Sequence, residues 1–174
     1  MSDPAGLSIE RFVVSGVHRL AGRPSDGPTG RLDDDPPVDE IRVRAGLGVV
    51  GDRYFNRPAH RDASVTFVAV EALEAVADEL GVPRFDPAAA RRTVVLRGLG
   101  TEATQQLIGT TFSLDTGAGP VAFAGRRAAN PCAWMDVVLA PGAFRALRGR
   151  GGVRAVPLTD GRLSLGPVVL QHGA

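Results

Sequence analysis

Glycine and proline cut this chain into runs too short for anything but strands and brief helices: there are 22 glycines and 13 prolines in 174 residues. Between these breaks several short runs are rich in β-branched residues or alternate apolar with polar ones. Glu40-Ile41-Arg42-Val43-Arg44 is the clearest case and predicts a strand with one wet face. Further strands are predicted at Ser64 to Val68, Thr93 to Leu96, Thr110 to Leu114 and around Val121 and Phe123, then at Val153 to Val156, Leu163 to Leu165 and Val168 to Leu170. One helix stands out over Glu71 to Leu80, where Leu73, Val76 and Leu80 share a face and Gly81 and Pro83 end the run. Many short strands, Gly-rich turns and two or three short helices predict a mainly β fold, a β-barrel or a compact strand-rich domain. The segment from Ala21 to Pro37 is rich in Gly, Pro and Asp and reads as an exposed loop. Its Asp33-Asp34-Asp35 run reads as solvated, because consecutive carboxylates do not converge on one ion without special backbone geometry.

The length suits one domain spanning residues 1–174. A net charge of +1 and an aromatic share of 5% argue against a nucleic-acid or membrane surface as partner. Every basic side chain other than histidine is arginine. Without lysine the chain can form no Schiff base with pyridoxal phosphate and has no P-loop lysine. A single cysteine excludes an internal disulfide and makes a cytosolic location the expectation. Met1 to Glu10 is polar and lacks the apolar stretch of a signal peptide, and no run approaches bilayer length. His18, His60 and His172 are widely spaced and read as surface histidines, and Trp134 reads as core beside a helix start.

The most informative stretch runs from Gly125 to Leu139 and contains Arg126-Arg127 and Asn130-Pro131-Cys132. Asn130 is a good helix N-cap and Pro131 suits the first helical position, which predicts Cys132 in the first turn of a short helix. There the helix dipole and the arginines upstream favour a thiolate. Such a thiolate can attack, carry a persulfide sulfur or ligate a soft metal. The same residue also fits the role of a small buried hydrophobe, and the local pattern leaves both readings open.

Arg91-Arg92-Thr93-Val94-Val95-Leu96-Arg97-Gly98, then Leu107-Ile108-Gly109, then Phe123-Ala124-Gly125-Arg126 and Pro131-Cys132, resemble the successive motifs of the MOSC domain. That domain closes the molybdenum cofactor sulfurases and also occurs alone in bacteria. Gly48 to Arg53 and Gly149 to Arg154 agree in order and spacing, so the likeness covers residues 39–170. It departs from the family at Thr93, where asparagine is usual. The resemblance implies a MOSC-type β-barrel, binding of molybdenum cofactor (a molybdopterin) or a related sulfur-carrying role, and a functional Cys132. Arginine forks suit both a phosphate and a planar heterocycle. The candidate contacts are therefore Arg53, Arg91, Arg92, Arg126, Arg150 and Arg154, with Arg92 and Arg126 foremost and Thr93 and Asn130 beside them. Asp52 reads as a turn residue.

Two functions follow from the resemblance, and a third of a different class stands beside them. In the first, Cys132 ligates molybdenum and the protein reduces N-hydroxylated substrates with electrons from a donor protein. In the second, Cys132 acts in sulfur transfer, carrying persulfide sulfur supplied by a cysteine desulfurase. The third is a non-catalytic, anion-binding adaptor barrel.

Overall fold

The computed structural model describes residues 6–173; of the polar start read at Met1 to Glu10, residues 1–5 lie outside the described part. The main sheet has eight strands. They are β1 (Ser8–Phe12), β4 (Val65–Ala69), β5 (Val94–Arg97), β6 (Thr111–Asp115), β7 (Val121–Ala128), β8 (Val153–Pro157), β10 (Gly166–Pro167) and β11 (Val169–His172). Their order is β10-β1-β5-β4-β8-β7-β6-β11. Its two margins, β10 and β11, are adjacent in the chain, so one short segment contributes to both ends of the sheet. The result is a nearly closed barrel, the mainly β architecture that the strand pattern predicts. A second sheet, β3-β2-β9, joins β2 (Glu40–Arg44) to β3 (Gly48–Val49) and β9 (Gly161–Ser164).

All pairings in the main sheet are antiparallel except β4 with β5. That parallel pair needs a crossover, and α1 (Val70–Leu80) begins it, closed by Gly81 in the left-handed conformation at φ 65°. The other helices are single turns or little more: α2 (Thr101–Gln106), α3 (Trp134–Val138) and α4 (Ala143–Ala146).

The barrel interior is filled by Phe67, Phe112 and Phe123, whose ring centroids lie 5.1–5.6 Å apart, and by aliphatic residues from the surrounding strands. A smaller cluster (Leu73, Val76, Trp134, Met135 and Leu147) packs α1 against α3 and α4. The cysteine-bearing segment is thus fixed to this helical cluster by Trp134 and Met135, both buried.

Two sequence expectations change here. Strand β1 was not legible, because a bulge between Ile9 and Arg11 breaks the two-residue period and lets Ile9 and Phe12 both point inward. The Asp33 to Pro37 segment is exposed overall, yet it is pinned at Asp35. That carboxylate accepts from Ser15 Oγ at 2.7 Å and from Arg19 Nε and Nη2 at 2.9 Å each, and it lies 3.1 Å from Arg91. Asp35 is a structural anchor, not a solvated charge.

Candidate functional site

A cavity of about 230 Å³ opens where the N-terminal ends of β4 and β5, the start of β8 and the segment after β7 meet. It is lined by Cys132 and Asn130 after β7, Arg91 and Arg92 before β5, Thr66 on β4 and Arg154 on β8, with Arg53 and Tyr54 from the loop after β3. His18, Arg19, Leu20, Trp134 and Met135 complete the wall. A larger cavity of about 450 Å³, between β1 and the Asp33 to Pro37 segment, shares Arg91 but contains no thiol. The smaller one is the candidate site, since it joins the exposed thiol of Cys132 to five arginines and no acidic side chain.

Those five guanidinium groups differ in how they are balanced. Arg19 and Arg91 share Asp35. Arg53 lies 3.6 Å from Asp52 and stacks over the Tyr54 ring at 4.4 Å, and its buried Nε has no hydrogen-bond partner among the described residues. Arg92 is buried and donates to three carbonyl oxygens, from Nε to Gly151 at 2.9 Å, from Nη1 to Ala90 at 3.2 Å and from Nη2 to Ala129 at 3.0 Å. No carboxylate among the described residues pairs with Arg92 or Arg154. Burial, with Arg154 adding to it, pushes Arg92 down to about 10. Burial also lowers Arg154, with Arg127 contributing, and lowers Arg91, with Arg53 contributing and Asp35 opposing. All remain charged at neutral pH, so the pocket carries uncompensated positive charge in a partly desolvated setting, where it favours an anion.

Several expected site residues are placed differently. Cys132 lies two residues before α3, whose N-cap is Ala133, so neither Asn130 nor Pro131 begins the helix. Trp134 starts it instead because its ring is the buried anchor, and a five-residue helix this short gives the thiol no strong dipole. Arg126 is exposed on another rim, beside Arg127 and Asp62, outside the thiol cavity. Arg150 turns away to pair with Glu79 and to donate to the Ala146 carbonyl. The Thr93 hydroxyl is spent on Thr66: each threonine's backbone N–H donates to the other's Oγ1, at 2.9 and 3.1 Å, tying β4 to β5 where their pairing begins. Arg92 lines the cavity but is first of all a backbone clamp. Asp52 acts as the expected turn residue, accepting from the Tyr54 N–H at 3.0 Å, and also faces Arg53.

Sequence reasoning passed over Tyr54 and Thr66; His18, read as a surface histidine, is exposed but also lines the cavity, and His60, read the same way, is half-buried behind Tyr54. Tyr54 Oη and His18 Nε2 lie 3.4 Å apart, and the Tyr54 and His60 rings pack at a tilt of 44° with centroids 4.4 Å apart. Burial lowers both histidines below their ordinary value, with Arg53 next for His18 and Arg154 next for His60, so both are neutral at pH 7. Tyr54 directly follows the Gly51-Asp52-Arg53 motif and was within reach of the pattern. His18 carried no local signal.

Asp35 supplies a pH test. The Arg19 hydrogen bond, aided by Ser15 and Arg91 and opposed by burial, holds its carboxyl at about 2, below the ordinary 3.8. A depressed carboxyl stabilises the fold fully above 3.8, and that contribution is lost as pH falls through about 2. Asp35→Asn is expected to cost about 2–3 kcal/mol at pH 7. It should also flatten the wild-type decline in urea midpoint between pH 4 and 2; an unchanged decline would show that Asp35 does not carry it.

The fold and pocket define a class: a nearly closed β-barrel with an arginine-lined, thiol-bearing cleft at one end. Solved structures share the fold. The YuaD protein of Bacillus subtilis is similar at TM-score 0.74 and 17% identity over 97% of this chain and 96% of that one. YiiM of Geobacillus stearothermophilus matches at 0.62 and 16% over 95% and 75%, and YiiM of Escherichia coli at 0.62 and 15% over 96% and 70%. At these identities the likeness is one of fold alone, in agreement with the mainly β barrel that the sequence predicts. No family model and no curated protein sequence matches the chain. No helix among the described residues is long and apolar enough to cross a membrane.

Proposed function

We propose that this is a MOSC-type protein that binds molybdenum cofactor in the arginine-lined cleft, with Cys132 as the protein's ligand to the metal. The observation that carries this reading is the meeting of the chain's one cysteine, exposed, with the guanidinium groups of Arg92 and Arg154, which have no carboxylate partner among the described residues. The donor set fits such a group. No three His, Cys, Asp or Glu side chains among the described residues could hold a metal ion together. Metal bound here would therefore take one soft sulfur from Cys132 and its other donors from a cofactor.

Arg53, Arg92 and Arg154 would hold the anionic end by charge-assisted hydrogen bonds, and Tyr54 and Trp134 offer flat apolar surface beside it. The cavity is smaller than the ~300–1,000 Å³ usual for an enclosed organic ligand, which suits partial enclosure. When bound, molybdenum would supply two-electron oxygen-atom chemistry of the kind that reduces N-hydroxylated substrates. The chain's own part is to fix the sulfur, neutralise the anion and exclude carboxylates that would compete for the arginines.

Exposure of Cys132 also favours a second reading, in which a cysteine desulfurase reaches the thiol and leaves a persulfide sulfur for onward transfer. Elemental analysis separates the two. Protein from a cofactor-competent host is expected to carry severalfold more molybdenum per chain than protein from a cofactor-deficient one, and Cys132→Ser to lose most of it. Parity between hosts, with a persulfide on Cys132 detected by mass spectrometry after incubation with a desulfurase, would establish sulfur transfer instead. Parity with no persulfide leaves an anion-binding adaptor.

A further inference from the structure

Beside the thiol cleft, the β7–β8 pairing carries a feature that ligand binding does not require. In the β7–β8 pairing Arg127 stands directly opposite Arg154. Like charges facing each other across strands are destabilising. Elsewhere the fold relieves such a clash: Arg42 faces Arg162 across β2 and β9, but Arg162 reaches Glu40 at 3.8 Å. Arg127 and Arg154 have no such partner among the described residues. A bulge between Gly125 and Arg127 re-aims this part of β7 and leaves Arg126 and Arg127 exposed. The 3-10 turn Pro58–Ala63 packs on β7 and β8 and brings His60 and Asp62 toward this pair. Arg154, Arg53 and Arg127 together depress His60 once burial has done so, in keeping with convergence of these charges at the cleft mouth. Asp62 is the one acidic side chain lining the small cavity beside Arg126 and Arg127.

We propose that this surface, Arg126 and Arg127 next to Arg154 on the cleft wall, is the docking surface for an acidic protein whose reactive group must reach Cys132. The proposal rests on the reading of Cys132 as the reactive atom. Opposed, unrelieved arginines keep a local cost in the free protein that an acidic face removes on binding, and they steer that face toward the thiol. A protein fits better than a nucleic acid: the patch is small, and the chain has 5% aromatic residues and a net charge of +1.

The test uses the single cysteine. Bromoacetyl groups are placed on a short oligoglutamate peptide, a neutral Gly/Ser peptide and an oligothymidylate, and alkylation of Cys132 is timed by mass spectrometry. The oligoglutamate is expected to react about 10-fold faster than the neutral peptide at low salt, an advantage that shrinks as salt rises. In R126E/R127E, and more mildly in R126Q/R127Q, the ratio should fall toward one. Arg127→Glu alone should raise Tm by about 2 °C, because it converts the cross-strand repulsion with Arg154 into an opposite-charge pair.

Equal rates for the acidic and neutral peptides, an advantage that survives R126E/R127E, a lowered Tm in Arg127→Glu, or a faster oligothymidylate would each overturn the docking surface. A Cys132 that none of the three reagents modifies would sink the reading of a reactive thiol itself, so the two failures are told apart.

Discussion

Gly152→Ala is expected to lose about 4 kcal/mol or more of stability, which for a chain of this size lowers Tm by roughly 8–16 °C. Two effects combine. At φ 97° the backbone sits where a Cβ is strained, and a Cβ built there lies 1.9 Å from the Phe67 carbonyl oxygen and 3.2 Å from Val68 Cα. Neither obstacle is a flexible side chain that could swing aside; both belong to the backbone of β4. Relief would require β8 to part from β4 where Phe67 pairs with Val153. The damage would reach the cleft, because the Gly152 carbonyl accepts from the Ala129 N–H at 2.8 Å and the neighbouring Gly151 carbonyl accepts from Arg92. Gly149→Ala is the control: φ is 76° but nothing lies within 4 Å of its Cβ, so only the conformational term of about 1 kcal/mol remains. Urea melts of the two variants decide the matter, and a Gly152→Ala variant as stable as Gly149→Ala would show that the close approach is not a constraint.

The same position shows what kind of information a sequence carries about this fold. Alternation made β2 legible, and its burial does alternate between exposed and buried residues. A helical face with Gly81 behind it made α1 legible to within a residue. Both are local signals. Gly151 and Gly152 look like more of the chain's turn glycines, but a Cβ on the first would lie 2.3 Å from the Ala129 carbonyl oxygen and one on the second would meet a strand some 85 positions earlier, approaches that no local pattern reports. The cleft divides in the same way. Cys132, Arg53, Arg91, Arg92, Arg154 and Asn130 sit in ordered motifs, and the fold gathers all six around one cavity. Arg126 and Arg150 occur in the same motifs, yet a bulge re-aims the first and Glu79 captures the second. Motif membership reports that a segment lies near the cleft, not which way a side chain leaves a bulged strand. His18 and Arg19 enter the wall from a loop whose shape depends on Asp35, and Thr93 found its partner in Thr66 on the parallel strand. Those arrangements depend on contacts across the fold, so spacing along the chain could not reveal them.

Arg92→Leu is expected to be the second severe substitution, and for a reason unlike the one that motif position implies. The fork holds three segments at once, the turn before β5 at Ala90, the end of β7 at Ala129 and the approach to β8 at Gly151. Leucine matches much of the volume but leaves three enclosed carbonyl oxygens without their donor, at about 1–3 kcal/mol each. Against this, removing a buried guanidinium that has no carboxylate partner among the described residues recovers part of its desolvation. The carbonyls outnumber the single charge, so the net loss should be about 4 kcal/mol. Arg92→Lys keeps the charge but can reach at most part of the carbonyl set, and should fall between leucine and wild type. Inorganic phosphate adds a second measurement: it should raise the Tm of the wild-type protein, because an anion compensates Arg92 and Arg154 together, and raise that of Arg92→Leu much less. An Arg92→Leu variant that melts with the wild type would refute the clamp. One that melts early but gains as much from phosphate would leave Arg92 a structural residue only and transfer the anion's recognition to Arg154 and Arg53.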